Sequence, residues 1–180
     1  EGIRVIEVAT WTFVPAAAMI LADFGADVIK VEPPGGDPQR RLSAGGRIPS
    51  IDGVSLTTEQ TNRGKRSVVL DLRTAAGRDV LDRLVAGADV FMTNYLPDAR
   101  AALRIDVDDL RPVNPSLVYV RGDALGREGP ESGRPGYDHS VYWARSGIAH
   151  AISGPGATRL ARPRPALGDK TASLSMAFGV

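Results

Sequence analysis

Apolar positions in this chain come in two alternating rhythms. Residues 3–9 and 26–32 are short runs rich in Ile and Val, and 68–72, 89–92 and 117–120 repeat them, each of a length and β-branched content suited to a buried strand. Between them the apolar residues fall at helical spacing. The stretch 16–24 is one such helix, with Pro15 admissible in its first turn and Gly25 as its stop. Another is 75–86, capped by Thr74 and carrying Val80, Leu81, Leu84 and Val85 on one face. Shorter helices are predicted over 97–103 and from an Asp106 cap to Leu110, before Pro112. Residues 137–151 also have helical spacing, with Val141, Ala144 and Ile148 as inner positions, and a last helical pattern starts at Thr171.

Strand, helix and strand within about thirty residues make a βαβ unit, whose right-handed crossover sets its strands parallel. Repeated along the chain, such units predict an α/β fold: a Rossmann-like, mainly parallel sheet with helices on both faces, binding ligands at the carboxyl ends of its strands. Those ends fall at 9–13, 32–34, 72–73, 94–95 and 121–125. Two stretches break the rhythm, an irregular excursion over 33–62 and a run of Gly, Pro and charge over 122–134. In a compact domain a loop of that length is more often functional than filler.

Composition narrows the possible partners. The chain has 180 residues, 43% hydrophobic and 24% charged, which fits a globular domain able to bury a core. Lys and Arg number 22 against 21 Asp and Glu, for a net charge of +1. With no long-range field, neither nucleic acid nor an anionic membrane is an expected partner, and a bound anion must meet local positive groups. Cys is absent, which excludes disulfides, thiolate metal ligands and a Cys nucleophile. The longest apolar run, 14–21, is too short to span a bilayer, and the N-terminus lacks the basic start and cleavage site of a signal peptide, so the expected location is the cytoplasm. The chain starts at Glu1 rather than Met, and the last helical pattern runs unfinished to Val180, so both ends read as cut.

The nucleotide fingerprints fail. No G-x-G-x-x-G follows the first strand, where the sequence is Trp11-Thr-Phe-Val-Pro15, and no G-x-x-x-x-G-K-[ST] or G-x-S-x-G occurs. His139 and His150 lack metal-ligand spacing, so no metal is expected. Near the predicted strand ends Lys30, Lys65, Arg66, Arg73, Arg100 and Arg104 could meet phosphates, and Trp11, Phe13 and Tyr95 could stack on a base. Asp169 follows Gly168 at a loop-to-helix junction. An Asp there either caps the helix through its carboxylate or presents that carboxylate at the mouth of a site.

Several ordered segments resemble the class III CoA-transferase family, also called CaiB/BaiF or formyl-CoA transferase-like. They are Gly2-Ile-Arg-Val-Ile-Glu7, Ala22-Asp-Phe-Gly-Ala-Asp-Val-Ile-Lys-Val-Glu-Pro-Pro-Gly-Gly-Asp37, Asn62-Arg-Gly-Lys-Arg-Ser-Val-Val-Leu-Asp-Leu72 and Ala88-Asp-Val-Phe-Met-Thr-Asn94. Asn114-Pro-Ser-Leu-Val-Tyr119, Gly126-x-x-Gly-Pro130, Arg134-Pro-Gly-Tyr-Asp138 and Gly168-Asp169 continue the series. In that family the Gly-Asp aspartate attacks an acyl-CoA thioester, forms a mixed acyl anhydride and passes CoA to a second carboxylate. The match puts that role on Asp169. It also implies contacts to CoA, bound as part of the acyl-CoA substrate, at Thr12, Phe13, Pro33, Leu70, Asp71, Leu72, Arg73, Asn94, Tyr95, Leu96, Arg134, Tyr137 and Asp138.

The sequence departs from the family at two places. The first loop reads Thr12-Phe13-Val14-Pro15 where relatives often carry Gln before Gly-Pro, and Ala102 stands where a family Arg is expected, with Arg100 or Arg104 as substitutes. α-Methylacyl-CoA racemases share the fold but pair the aspartate with a His in Gly-His-Asp, which here reads Gly136-Tyr137-Asp138. A phenol with a reference pKa of about 10 is a poor base at neutral pH, which favours transfer over racemisation. A non-catalytic CoA-binding or dimerisation fragment is a further alternative. On this resemblance residues 1–180 are one CoA-binding domain of a longer chain, which supplies a second domain and forms an interlocked homodimer.

Overall fold

In the computed structural model, which describes residues 2–46 and 50–180, the chain runs β1 (Arg4–Val8), α1 (Phe13–Asp23), β2 (Asp27–Glu32), α2 (Arg40–Ala44), β3 (Ser50–Ile51), β4 (Val54–Ser55) and α3 (Leu56–Asn62). It continues through β5 (Arg66–Val69), α4 (Ala75–Ala86), β6 (Val90–Thr93), α5 (Pro97–Leu103), α6 (Val107–Leu110) and β7 (Val118–Arg121). A π-helical segment, His139–Arg145, precedes α7 (Ile148–Ser153) and α8 (Leu167–Phe178). Glu1 and residues 47–49 of the predicted excursion lie outside the described residues.

Strands β5, β2, β1, β6 and β7 lie side by side in that order, all parallel. The chain builds outward from β1 to β5, then returns to place β6 against the other edge of β1. Strand order therefore reverses between β1 and β6, which opens a crevice at their carboxyl ends. Side chains alternate across the sheet. On one face Ile6, Val8, Ile29, Val31 and Phe91 pack with Leu81 and Val85 of α4 and Leu110 of α6. On the other Val5, Ala9, Val28, Val90 and Met92 meet Val14, Ala17 and Ala18 of α1, with Met176 of α8 packed against them. The α/β parallel sheet read from the sequence is present, with helices on both faces.

The same alternation sends Glu7 and Lys30 toward α1, where both are almost wholly buried. Lys30 Nζ lies 2.7 Å from Glu7 Oε1 and 3.0 Å from Asp37 Oδ2, and donates to the Ala9 carbonyl at 3.0 Å. Lys65 joins from the start of β5, with Nζ 2.5 Å from Glu7 Oε2 and 2.8 Å from the Pro15 carbonyl. Burial opposes the charge on Lys30, yet Glu7 and Asp37 outweigh it and raise its pKa. Lys65 has only Glu7 as a direct carboxylate partner, so burial, with some repulsion from Lys30, lowers it to about 8. Asp37 Oδ1 in turn accepts the N–H groups of Trp11 at 3.2 Å and Gln39 at 2.9 Å. Trp11 sits at φ 66°, a left-handed conformation that a bulky residue adopts only when its surroundings fix it.

The structure corrects several predicted boundaries. Helix α1 starts at Phe13 rather than Ala16, and β5 is Arg66–Val69 rather than 68–72. Arg66 and Ser67 look like loop in sequence but pair with Ile29 and Lys30, their side chains held by Asp27 and Glu32. The excursion 33–62 carries α2, α3 and the hairpin β3–β4, turned by Asp52 and Gly53 at φ 50° and 79°. Such an Asp-Gly turn is itself a hairpin signal. The single helix over 137–151 is two elements, divided where Gly147 takes φ 85°. The wider π turn buries Trp143 and leaves Ala144 exposed. Helix α8 starts four residues before Thr171 and ends at Phe178, with the Gly179 N–H on the Met176 carbonyl.

Removing one member of the buried cluster leaves an uncompensated charge. Lys30→Met is expected to lower stability by about 3–5 kcal/mol in denaturant titration, while the double variant with Glu7→Gln recovers part of the loss. Glu32 gives the fold an acid limit. Burial alone would raise its pKa, but Arg40, the Asp37 N–H and Ser67 hold it to about 2 against an ordinary 4.5. With the folded pKa below the unfolded one, its contribution is complete above about pH 5 and disappears as the pH falls toward 2. Glu32→Gln is expected to flatten that limb in a plot of urea midpoint against pH.

Candidate functional site

The reversal of strand order creates the main cleft. From β1 the chain passes through Thr10–Thr12 into α1, and from β6 through Asn94–Leu96 into α5. Asn94 ties the two exits together: its Oδ1 accepts the Thr10 N–H at 3.0 Å and its Nδ2 donates to the Thr10 carbonyl at 2.7 Å. The turn after β7, the loop 133–138, the π-helical segment and the start of α8 complete a cleft of about 720 Å³. Thr12, Phe13, Asn94, Tyr95, Leu96, Arg134, Tyr137, Asp138 and Asp169 all line it.

Close packing fixes the first turn of α8. A Cβ on Gly168 would fall well inside 3 Å of both the Tyr142 ring and Asp138 Oδ1, so only glycine fits. The Gly168 N–H donates to Asp138 Oδ1 at 2.6 Å. From the other side the wholly buried Ser173 hydroxyl lies between the Phe13 carbonyl of α1 at 2.6 Å and the Asp169 carbonyl at 2.5 Å, as a donor shared by the two, and joins α8 to α1. The cap reading of Asp169 is overturned: the N-cap position belongs to Ala166, left-handed at φ 62°, and Asp169 lies within the first turn. Its carboxylate is therefore not spent on capping. Burial, reinforced by the charge of Asp138 and partly opposed by His139, raises the Asp169 pKa to about 6.

A second groove of about 320 Å³ runs along the ends of β2 and β5. Pro33, Leu70, Asp71, Leu72 and Arg73 line it with Arg41, and Tyr95 borders both spaces. Arg73 grips its neighbour, with Nε 2.8 Å and Nη2 2.9 Å from the two Asp71 oxygens. The sequence-predicted site residues thus fall into two groups, nine around the cleft and five around the groove, joined at Tyr95.

Some candidate cations are spent inside the fold. Lys30 and Lys65 belong to the buried cluster, and Arg100 is buried with Nη1 on the Tyr95 carbonyl at 2.6 Å and Nε on Asp106 at 3.1 Å. Arg100 therefore cannot stand in for the Arg absent at Ala102, while Arg104 remains exposed as the left-handed C-cap of α5. Arg66 forks onto Asp27, away from either space. The sequence reading omitted Tyr142, Val141 and Arg145 from the cleft. A signal was present in the spacing: Val141, Tyr142 and Arg145 follow Asp138 at +3, +4 and +7, positions that share one helical face. Trp11 lines the cleft and meets Tyr137 edge-on, with ring centroids 6.3 Å apart. Among the described residues no three His, Asp or Glu side chains cluster as a metal would require, and no helix is long and apolar enough to cross a membrane.

Comparison with known proteins agrees with this architecture. The chain is 33% identical over 180 residues to the cinnamoyl-CoA:phenyllactate CoA-transferase of Clostridium sporogenes, matching 100% of this chain and 43% of that protein. It is 43% identical over 144 residues to a succinate–glutarate CoA-transferase of Agrobacterium fabrum, matching 78% of this chain and 36% of the relative. A CaiB/BaiF family crystal structure from Brucella suis superposes with a TM-score of 0.85 at 32% identity, covering 99% of this chain and 47% of that one. The chain spans less than half the length of these relatives. The family description "CoA-transferase family III" matches residues 1–180, and the chain belongs to that family.

Proposed function

We propose that this chain is the CoA-binding domain of an acyl-CoA:carboxylate CoA-transferase, with Asp169 as the covalent nucleophile. The observation that carries the reading is the uncapped, half-buried Asp169 carboxylate on a rigid first turn, facing the cleft at the strand-order reversal. The nucleotide end of CoA lies in the groove, with Arg41 and Arg73 toward its phosphates. The pantetheine passes Pro33, Tyr95 and Leu96, and the thioester reaches Asp169 between Phe13, Arg134 and Tyr137.

The chemistry follows from that placement. An Asp169 oxygen attacks the thioester carbonyl, the C–S bond breaks, and CoA leaves as thiolate with the electron pair. The product is a mixed anhydride between Asp169 and the acyl group. The acceptor carboxylate attacks the Asp169 carbonyl carbon and displaces the first acid. The thiolate then attacks the acceptor's carbonyl, giving the new thioester and freeing Asp169. A carboxylate is a weak nucleophile in water, and removal of water together with fixed geometry makes it competent. The rest of the protein contributes a second domain and an interlocked homodimer in the cytoplasm. Racemisation is the weaker reading, since the position of its His base holds the exposed phenol of Tyr137.

The test is intact-mass analysis of the full-length protein after incubation with a panel of acyl-CoAs. The expected result is an acyl adduct, released by hydroxylamine and mapped to Asp169. Binding with no adduct and no turnover supports the non-catalytic alternative, and deuterium uptake at the α-carbon supports racemisation. Asp169→Ala is expected to cut transfer at least about 10³-fold, in the range for loss of a catalytic nucleophile, with CoA affinity unchanged by calorimetry. Because the attacking form is the carboxylate, adduct formation is expected to rise through about pH 6 and then level.

Stability carries the opposite sign. A folded pKa raised from 3.8 to about 6 means the folded state binds this proton more tightly, so stability falls as the pH rises through that window. Asp169→Asn is expected to raise the denaturation midpoint at pH 8, by about 1 kcal/mol after allowing for solvent screening. At pH 4 the gain should vanish.

A further inference from the structure

Asp138 stands beside Asp169 in an unusual state. Its Oδ1 accepts the N–H of Gly168, the residue directly before the nucleophile, at 2.6 Å. Its Oδ2 is buried and takes no hydrogen bond among the described residues. The two arginines that line the same cleft, Arg134 and Arg145, both pair with Glu131. Of the elements packed against α8, α1 brings the uncharged Phe13 to the cleft, and the π-helical segment brings Arg145 and starts at His139. Lys170 follows Asp169 on α8 itself. The charge of Asp138 adds to burial in raising the Asp169 pKa, while His139 opposes it.

Resting on the reading of Asp169 as nucleophile, we propose that Asp138 is its positioning residue, anchoring the first turn of α8 through one oxygen and setting a second carboxylate charge in the cleft with the nucleophile. The anchor and the charge have separate consequences. The anchor holds the Gly168 N–H, one residue before Asp169, against Asp138, where Gly168 leaves no slack. The charge acts on the reaction itself. While Asp169 is ionised, two carboxylates share one partly dry cleft. When Asp169 attacks, its negative charge passes through the tetrahedral intermediate to the departing sulfur, and the anhydride that remains on Asp169 is neutral. Like-charge repulsion is thus present before attack and relieved after it, which makes the carboxylate more basic and the covalent intermediate more accessible. Asp138 itself makes and breaks no bond.

The test compares wild type and Asp138→Asn in the full-length protein, following adduct formation on Asp169 against pH and acyl-CoA concentration. Asn keeps an oxygen for the Gly168 N–H and removes the charge. The expected result is an acid limb moved at least about half a pH unit below the wild-type position and a maximal rate reduced by about three- to tenfold, as lower basicity dictates, with the KM for acyl-CoA unchanged. An unmoved acid limb overturns the proposal, as does a raised KM at an unchanged maximal rate, which would make Asp138 a CoA ligand instead. If the Asn variant does not fold, Asp138→Ser keeps an acceptor without the charge and is read by the same two criteria. Absence of any adduct on wild-type Asp169 overturns the nucleophile reading together with this one, whereas an adduct with an unmoved limb overturns this one alone.

Discussion

Lys30 stands in the middle of a buried parallel strand, and the geometry of the cleft depends on how its charge is satisfied. Glu7 answers it from the neighbouring strand and Asp37 from the loop beyond β2. An ammonium group in that position is costly unless its partners are held at hydrogen-bond distance. Their being so held fixes three chain segments at once, since Asp37 also takes the Trp11 N–H and Lys65, just before β5, reaches Glu7 and the Pro15 carbonyl. The cleft wall between β1 and α1 is thus set by electrostatics one layer beneath it. An apolar core there would pack as well but would not specify the left-handed turn at Trp11.

A second set of constraints acts from the opposite side. Asn94 joins the exits of β1 and β6, Ser173 joins α8 to α1, and Gly168 presses α8 against Asp138 and Tyr142. None of these contacts is large in area. They are short, directional and mostly shielded from water, the setting in which hydrogen bonds determine position more than overall stability. Asp169 is consequently carried on the first turn of a helix rather than on a loop, a support that holds its side chain in one geometry.

The parallel sheet was legible in the sequence because buried parallel strands are nearly continuous apolar runs, and those runs were in place for β1, β2, β6 and β7. What strand polarity hid was of two kinds. Arg66 and Ser67 begin β5 although polar, because Asp27 and Glu32 satisfy them across the pairing. Lys30 and Lys65 looked like surface cations near strand ends because a sequence does not reveal that their carboxylate partners lie within the same layer. Position 169 shows the limit of local pattern. A Gly-Asp before apolar helical spacing suggests a cap, but the left-handed Ala166 lets the helix start earlier, and only the fold shows it. The split of the expected site residues between a cleft and a groove was likewise hidden, since strand ends adjacent in the sheet open into different spaces on either side of Tyr95.

The contact between Asp138 and Gly168 joins residues thirty apart in sequence. The chain between them passes through an exposed stretch, residues 154–160, before the Ala161 carbonyl meets the Trp143 indole. The distance the chain travels over the surface has no bearing on where α8 docks, because docking is decided at the glycine and not by the length of the connection. A change of length in that stretch leaves Asp169 where it is, so the loop is free to acquire contacts of its own while the carboxylate stays in register.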